Sequence, residues 1–412
     1  MLSRMRVVSF CHYLQGPAAT QYLADMGADV IKVEPLEGAF ERHWSGARTF
    51  VDGVSAFYLS ANRNKRSLAI DLKRPEARAV MLRLARSADV VVENYRPGVM
   101  ERLGLGYADL KAVKPDIIYA SATGSGADGP LSDKPGQDLL VQARTGVMAA
   151  SGDPARRPTP AGFAVIDQHG GALLAMGILG AYVRRLTTGE GTRVEGNLLN
   201  AGIDLQSEAL TLYYSGARTR AVMRRDENLA TWFHEAPYGV YKLADGFLAL
   251  SLNDPRTVAA ALDNADLAAL AEHDMYATRD RFAAALARAL APLNLVEAAA
   301  RFDPHGIWYQ RVQDYDDLRR DPQALHNGVF REVPVGRSRA TLVNHPLRYD
   351  GQTPEYRGMA LEPGAHTNEI LDELEFTAPE VEALLGAKVV FAPRRRAADE
   401  ARAKEAECQG SM

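Results

Sequence analysis

The chain has 412 residues, 47% hydrophobic and 24% charged, ordinary globular values that allow a sizeable core and exclude wholesale disorder. The length suits two domains or one large composite, and a formal charge of −4 excludes the basic footprint of a general nucleic-acid binder. Two cysteines, Cys11 and Cys408, exclude a disulfide framework and a cysteine metal cluster and fit a reducing, cytoplasmic setting.

In chain order, the start MLSRMRVVSFCHYLQG has too short an apolar run for a secretory signal. RVVSF (6–10) reads as a buried strand, GPAATQYLADMGA (16–28) as a helix and DVIKVE (29–34) as a second strand. RPEARAVMLRLARSA (74–88) carries apolar residues at helical spacing, with Pro75 suited to a first turn. DVVVENY (89–95) and DIIYASATG (116–124) are further strands. Val- and Ile-rich strands separated by helices predict an α/β fold with a mostly parallel sheet covered on both faces. The apolar segment 172–183 is too short and Gly-rich to span a bilayer; it predicts a helix buried against other backbone.

From about 201 to 330 the pattern changes to a smaller α+β domain. YGVYKLADGFLALSL (238–252) reads as a hairpin turning at Asp245-Gly246, and 257–272 and 281–300 as helices. Residues 331–392 read as a return to the large domain of 1–200, beginning with strands at 330–350; the mixed-charge tail 393–412 reads as solvated, a frayed helix or disorder.

The first βα turn, CHYLQGPAAT, has one glycine where a dinucleotide fold needs G-x-G-x-x-G, which argues against a Rossmann oxidoreductase. Two basic stretches are more informative. ANRNKRSLAIDLK (61–73) sets four cations around a short strand, and ENYRPGVMERLG (93–104) places Asn94, Tyr95, Arg96 and Arg102 after a parallel strand. Ligands of open α/β sheets bind at such strand ends, and arginine forks beside an aromatic face suit phosphates and an adenine ring.

FAVIDQHGG (163–171) sets Asp167 before the long apolar helix. As a helix cap it would contribute about 1 kcal/mol; as a nucleophile it would draw on the same helix end. Gly170 and Gly171 would let a bulky group approach. Residue physics alone leaves the two readings even. No His, Asp or Glu spacing implies a metal.

GADVIKVE, NRNKRSLAIDL, VVENYRPGVMERLGL, the Asp167 segment with GILGAYVRRLTTGEGTRVEGNL, PYGVYKLADGFLAL and GAHTNEILDEL together resemble the family III CoA-transferases, in order, from residue 6 to about 386. The resemblance implies a large Rossmann-like domain built from both chain ends, a small domain between them and an interlocked homodimer. It implies acyl-CoA and a small carboxylic acid as substrates, coenzyme A entering as the acyl-CoA co-substrate, with no metal, nucleic acid or membrane partner. Asp167 falls on the family's nucleophile. His12, Ile70, Asn94, Tyr95 and Arg102 fall on coenzyme contacts, with Lys73 and Arg42 as phosphate partners. Gln15 stands one place after the glutamine of formyl-CoA transferase, and Lys134 and Gln137 lie on a further coenzyme-facing stretch. The glycine-rich loop of formyl-CoA transferase has no counterpart before PYGVY, so a different loop must exclude water.

The resemblance includes a racemase branch whose histidine base lies in a G-H-D motif. Here that stretch is KPGQDLLVQ, and Gln137 has no titratable proton to exchange. His169, two residues past Asp167, is a poor substitute base. CoA transfer through aspartyl anhydride and aspartyl-CoA thioester intermediates is therefore the expectation, with an acyl-CoA racemase and a non-catalytic acyl-CoA binder as alternatives. Arg48, Arg218 and Arg225 are candidates for a second carboxylate of a dicarboxylic substrate, each more simply a surface arginine. Asp254 receives no role.

Overall fold

The computed structural model describes residues 1–152, 157–216 and 218–393. Within the first part of the chain lie β1 (Arg6–Phe10), α1 (Gln15–Asp25), β2 (Asp29–Glu34), β3 (Lys65–Ile70), α2 (Pro75–Ser87), β4 (Val90–Glu93), β5 (Ile118–Thr123), α3 (Val165–Thr188) and β6 (Arg193–Asn197). The hairpin β7 (Gly239–Leu243) and β8 (Gly246–Leu250) pairs with β9 (Tyr309–Arg311). A second hairpin, β10 (Phe330–Val335) and β11 (Ser338–Val343), precedes α4 (Thr367–Glu373), α5 (Ala378–Gly386) and β12 (Val390–Phe391).

Seven strands form one sheet in the order β12-β3-β2-β1-β4-β5-β6. Every pairing is parallel except β12 on β3, where Val390 faces Ile70. The strands are apolar almost throughout because both faces are covered. On one face, Val8, Ile31, Leu68, Val91 and Tyr119 pack against Val80, Met81 and Leu84 of α2 and Ile370 and Leu371 of α4. On the other, Val7, Val30, Val90, Val92 and Ile118 pack against Leu23 of α1 and Leu174 and Ile178 of α3. Each such side chain contributes roughly 1.5–3 kcal/mol when fully buried.

The chain divides into two compact units. One comprises Met1–Gln137, Ile166–Ala201 and the chain from Gly328 onward; the other comprises Asp138–Val165 and Gly202–Asn327. The structure thus groups 138–165, which the sequence reading left within 1–200, with the smaller unit. Arg225 accounts for part of this: its guanidinium donates to the carbonyls of Ala150 (3.0 Å), Gly152 (3.2 Å) and Leu229 (2.9 Å), fastening the first segment of that unit to the second. These bonds give Arg225 a structural role within that unit.

The smaller unit packs its three-stranded antiparallel sheet on helices around Tyr241, Phe282, Leu286 and Phe302. The helix expected at 257–272 is broken into Pro255–Ala261 and Ala265–Leu270, because Asp263 adopts a left-handed φ of 48° and Asn264 caps the second piece. Asn294 likewise opens a separate helix, Leu295–Phe302, after Met275–Leu290. Asp254 caps Pro255–Ala261, accepting from the backbone N–H groups of Arg256 and Thr257.

The C-terminal return is fastened by hydrogen bonds to the first part of the large unit. Arg63 donates to the Val343 carbonyl (2.7 Å), Tyr58 to that of Ala360 (2.7 Å) and Arg42 to that of Leu361 (2.9 Å). Among the described residues no single helix is long and apolar enough to cross a membrane. Cys408 and the tail beyond Pro393 lie outside the described residues.

Candidate active site

Strand order reverses at β1: the chain runs outward through β2 and β3, then returns to the other side of β1 with β4. Ligands of open α/β sheets bind in the crevice beyond the carboxyl ends of the strands at such a switch point. The turn after β1 carries His12 and Gln15, and the turn after β4 carries Asn94 and Tyr95.

These residues meet. The His12 N–H donates to Asn94 Oδ1 at 3.0 Å, and Asn94 Nδ2 returns a bond to the His12 carbonyl at 2.7 Å. The His12 and Tyr95 rings stack with centroids 5.4 Å apart. Burial, with Lys32 nearby, outweighs the pull of Glu41 and holds the His12 imidazolium below its ordinary pKa, so at neutral pH the ring is an uncharged hydrogen-bonding group. Arg102 and Lys73 are exposed beyond the carboxyl ends of β4 and β3, placed to meet an anionic ligand.

The loop with Lys134 and Gln137 reaches the end of β5 through a backbone contact. A Cβ on Gly136 would stand 2.2 Å from the Cα of Gly124, the residue after β5. Both Lys134 and Gln137 are exposed there, and Lys134 Nζ lies 3.1 Å from Asp133.

Asp167 lies inside the first turn of α3, which begins at Val165, and so is not the residue preceding the helix. The N-cap reading of Asp167 is corrected accordingly. The carboxylate is half-buried at the helix end where the dipole favours negative charge. His169 is half-buried on the same turn.

The following glycines do not open a path for a ligand, as the sequence suggested. A Cβ on Gly171 would stand 2.9 Å from the Gln15 carbonyl and 3.0 Å from Ala18 Cβ, and one on Gly170 would stand 2.9 Å from Gln15 Nε2. They admit the first turn of α1, which brings Gln15 against the turn that carries Asp167. Gln15 is 5% exposed and its Nε2 has no hydrogen-bond partner. Leaving a buried amide donor unmade costs about 1–3 kcal/mol, so the position calls for an explanation beyond packing.

Two other sequence-derived positions serve the scaffold. Arg42 is buried, its guanidinium bonded to both oxygens of Glu34 (2.7 Å each), to Tyr58 Oη (2.6 Å) and to the Leu361 carbonyl. That geometry directs it inward and replaces the phosphate role. Ile70 ends β3 with its side chain in the core.

Sequence reasoning missed Glu93, Lys32 and Lys65, all buried at the strand ends or under the first turn. The signal was available: Lys32 and Glu34 on β2 and Lys65 and Ser67 on β3 fall at alternate positions and share one face. Glu93 is pushed up to about 7, chiefly by burial and also by Glu101, against the Tyr95 N–H it accepts and the pull of Arg193. A carboxyl raised on folding supports the native state fully below its unfolded value and loses that support as pH climbs through about 7. Glu93→Gln is therefore expected to stabilise the protein at pH 8 by on the order of 2 kcal/mol and to change little at pH 4. Urea unfolding of both proteins at the two pH values measures this, and equal offsets at both would refute it.

A family model described as CoA-transferase family III matches residues 2–367. The chain is 31% identical to a succinate–glutarate CoA-transferase of Agrobacterium fabrum, over 91% of this chain and 96% of that protein. It is also 31% identical to a human succinyl-CoA:glutarate CoA-transferase, over 94% of this chain and 90% of that one. The crystal structure of a CAIB/BAIF family protein from Brucella suis superposes with a TM-score of 0.76 at 28% identity, covering 90% of this chain and 99% of that chain.

Proposed function

This chain belongs to CoA-transferase family III, and on that premise we propose that it moves CoA from an acyl-CoA donor to a free carboxylic acid with Asp167 as the nucleophile. The observation that carries the reading is the unpartnered Gln15 amide packed beside the first turn of α3. A donor on the turn that carries Asp167 would serve the oxyanion that develops in acyl transfer.

In the first step a carboxylate oxygen of Asp167 attacks the thioester carbonyl. The C–S bond breaks, leaving a mixed anhydride and the CoA thiolate. The thiolate attacks the aspartyl carbonyl and expels the first acid. An incoming carboxylate attacks the aspartyl-CoA thioester, and the released thiolate takes the new acyl group and frees Asp167. Covalent catalysis of this kind divides one difficult exchange into easier steps. Water must be kept out because it hydrolyses the anhydride. His12, Asn94 and Tyr95 would hold the coenzyme at the switch point, with Gln15 beside its thioester. Lys73, Arg102, Lys134 and Gln137 would meet its polar and phosphate groups.

The named activities of the relatives support a succinyl-CoA donor and a dicarboxylic acceptor such as glutarate. The interlocked homodimer belongs to the same proposal. It is supported by Met176, Val183 and Leu186, which leave 60–67% of their surface open on α3. A cytoplasmic location is proposed from the cysteine usage alone.

Incubation with succinyl-CoA and glutarate, followed by mass spectrometry of the thioesters, tests the reaction. Glutaryl-CoA and succinate should appear in equal amounts with little free CoA. Free CoA alone would mark a thioesterase. Deuterium entering an α-methylacyl-CoA without acyl exchange would mark a racemase. Either result overturns the transferase reading.

A further inference from the structure

Within the β1–α1 turn, Tyr13 alone has a left-handed backbone, with φ 61°. An L side chain there crowds the following carbonyl, so a bulky residue at this conformation is an outlier. Such strain persists only where the surroundings over-determine it. Here two buried ammonium groups fix both flanks of the turn. Lys32 Nζ donates to the Cys11 carbonyl (2.7 Å) and to Glu41 Oε1 (2.8 Å). Lys65 Nζ donates to the carbonyls of Pro17 (2.8 Å) and Ala61 (2.7 Å) and to Asn62 Oδ1 (3.1 Å). Burial, reinforced by Lys32, drags the Lys65 pKa well below its ordinary value; three oxygens around Nζ nevertheless call for three N–H donors, which only the ammonium form has.

The strained position does not tuck the ring away. Tyr13 is 50% exposed, edge-on to His12 at 4.9 Å and tilted against Phe40 at 5.7 Å. It stands between His12 and Gln15, the two turn residues placed at the coenzyme above. A glycine in the turn would be free of strain, and the contacts with His12 and Phe40 leave half of the Tyr13 surface open.

Resting on the acyl-CoA reading, we infer that Tyr13 is a specificity-determining residue whose ring lies along the aliphatic chain flanking the thioester, with Lys32 and Lys65 as positioning residues that hold the turn beneath it. An aliphatic chain gains by covering an exposed ring, and a ring fixed in advance loses little freedom on binding. That chain has two sources, the pantetheine arm of the coenzyme and the acyl group.

The test is Tyr13→Gly, which removes ring and strain together, with Tyr13→Asn as a second variant that tolerates the left-handed backbone and Tyr13→Phe as the conservative control. Melting temperature, the dissociation constant of free CoA by calorimetry and kcat/KM for acetyl-, butyryl- and hexanoyl-CoA are measured for each. The glycine variant should melt at or above the wild-type temperature while kcat/KM falls at least tenfold, and phenylalanine should stay within twofold of wild type. A matching loss in CoA affinity assigns the ring to the pantetheine arm. Unchanged CoA affinity, with a kcat/KM loss that grows with acyl length, assigns it to the acyl group. Wild-type kcat/KM across the series in the glycine and asparagine variants would overturn the inference, as would a fall in melting temperature that tracks the fall in activity. A wild-type protein that binds no CoA would overturn the acyl-CoA reading itself.

Discussion

Asp167→Asn is expected to lower the rate of CoA transfer by a factor on the order of 10⁶, the scale seen when a covalent nucleophile is lost. Asparagine matches aspartate in shape and keeps an acceptor oxygen, so the first turn of α3 retains its geometry while the attacking carboxylate disappears. The stability change should stay within about 2 kcal/mol, the upper range for a partly buried charge at a helix N-terminus. Hydroxylamine supplied during turnover with succinyl-CoA should leave a permanent mass increment on Asp167 of the wild type and none on the variant, while both bind CoA alike. A variant that keeps more than a hundredth of the wild-type rate would return Asp167 to a structural role.

Arg42→Met is expected to destabilise the large unit by about 3–5 kcal/mol, the usual consequence of leaving one member of a buried ion pair without the other. The Glu34 side chain is fully enclosed and Arg42 is its cation. Burial works to raise the Glu34 pKa, but the Arg42 fork, Lys32 and Ser67 together hold it below the ordinary value. Its contribution is therefore complete above the unfolded carboxyl pKa and vanishes as pH falls through the lower folded value. Arg42 also covers the Tyr58 ring at 3.8 Å, so the substitution loosens the hydroxyl that holds the Ala360 carbonyl. Adding Glu34→Gln should recover a large part of the loss by removing the stranded charge. Urea unfolding of the single and double variants measures both effects. Folded Arg42→Met protein should bind CoA as the wild type does; a tenfold weaker Kd at unchanged stability would restore the phosphate role.

The sheet and its ligand edge were legible because apolar runs alternating with helical periodicity leave few folds. Asn94 and Tyr95 could be picked out because they follow a strand at its carboxyl end, whereas His12, which meets them, came from the family resemblance. Less of the site could be read from Asp167 outward. The start of α3 at Val165 carries no cap signal, since Ala164 and Val165 are apolar. The partner of Gly170 and Gly171 is Gln15, about 155 residues earlier in the chain, and nothing local announces that contact. Arg42, taken from the resemblance as a phosphate partner, lies in an irregular stretch whose sequence does not show that Glu34 and the Leu361 carbonyl enclose it. The break at 138 follows the Gly- and Pro-rich stretch GSGADGPLSDKPG (124–136), a linker signal, but the ties that assign 138–165 to its unit come from far downstream, from Gln206 to the Thr145 carbonyl and from Arg225 to those of Ala150 and Gly152.

The seventh strand has a consequence for how the protein is made. β12 pairs with β3, roughly 320 residues upstream. At a synthesis rate of about 5–20 residues per second, β3 therefore leaves the ribosome some 15–60 seconds before its neighbour. Through that interval its outer backbone groups have no strand to meet, the arrangement that invites pairing with another chain. The late-arriving His366 and Thr367 also accept from the β3 backbone N–H groups of Ser67 and Ala69. Completing the sheet thus waits for β12, and a ribosome stalled before residue 390 leaves a nascent chain with an open strand border exposed to other chains.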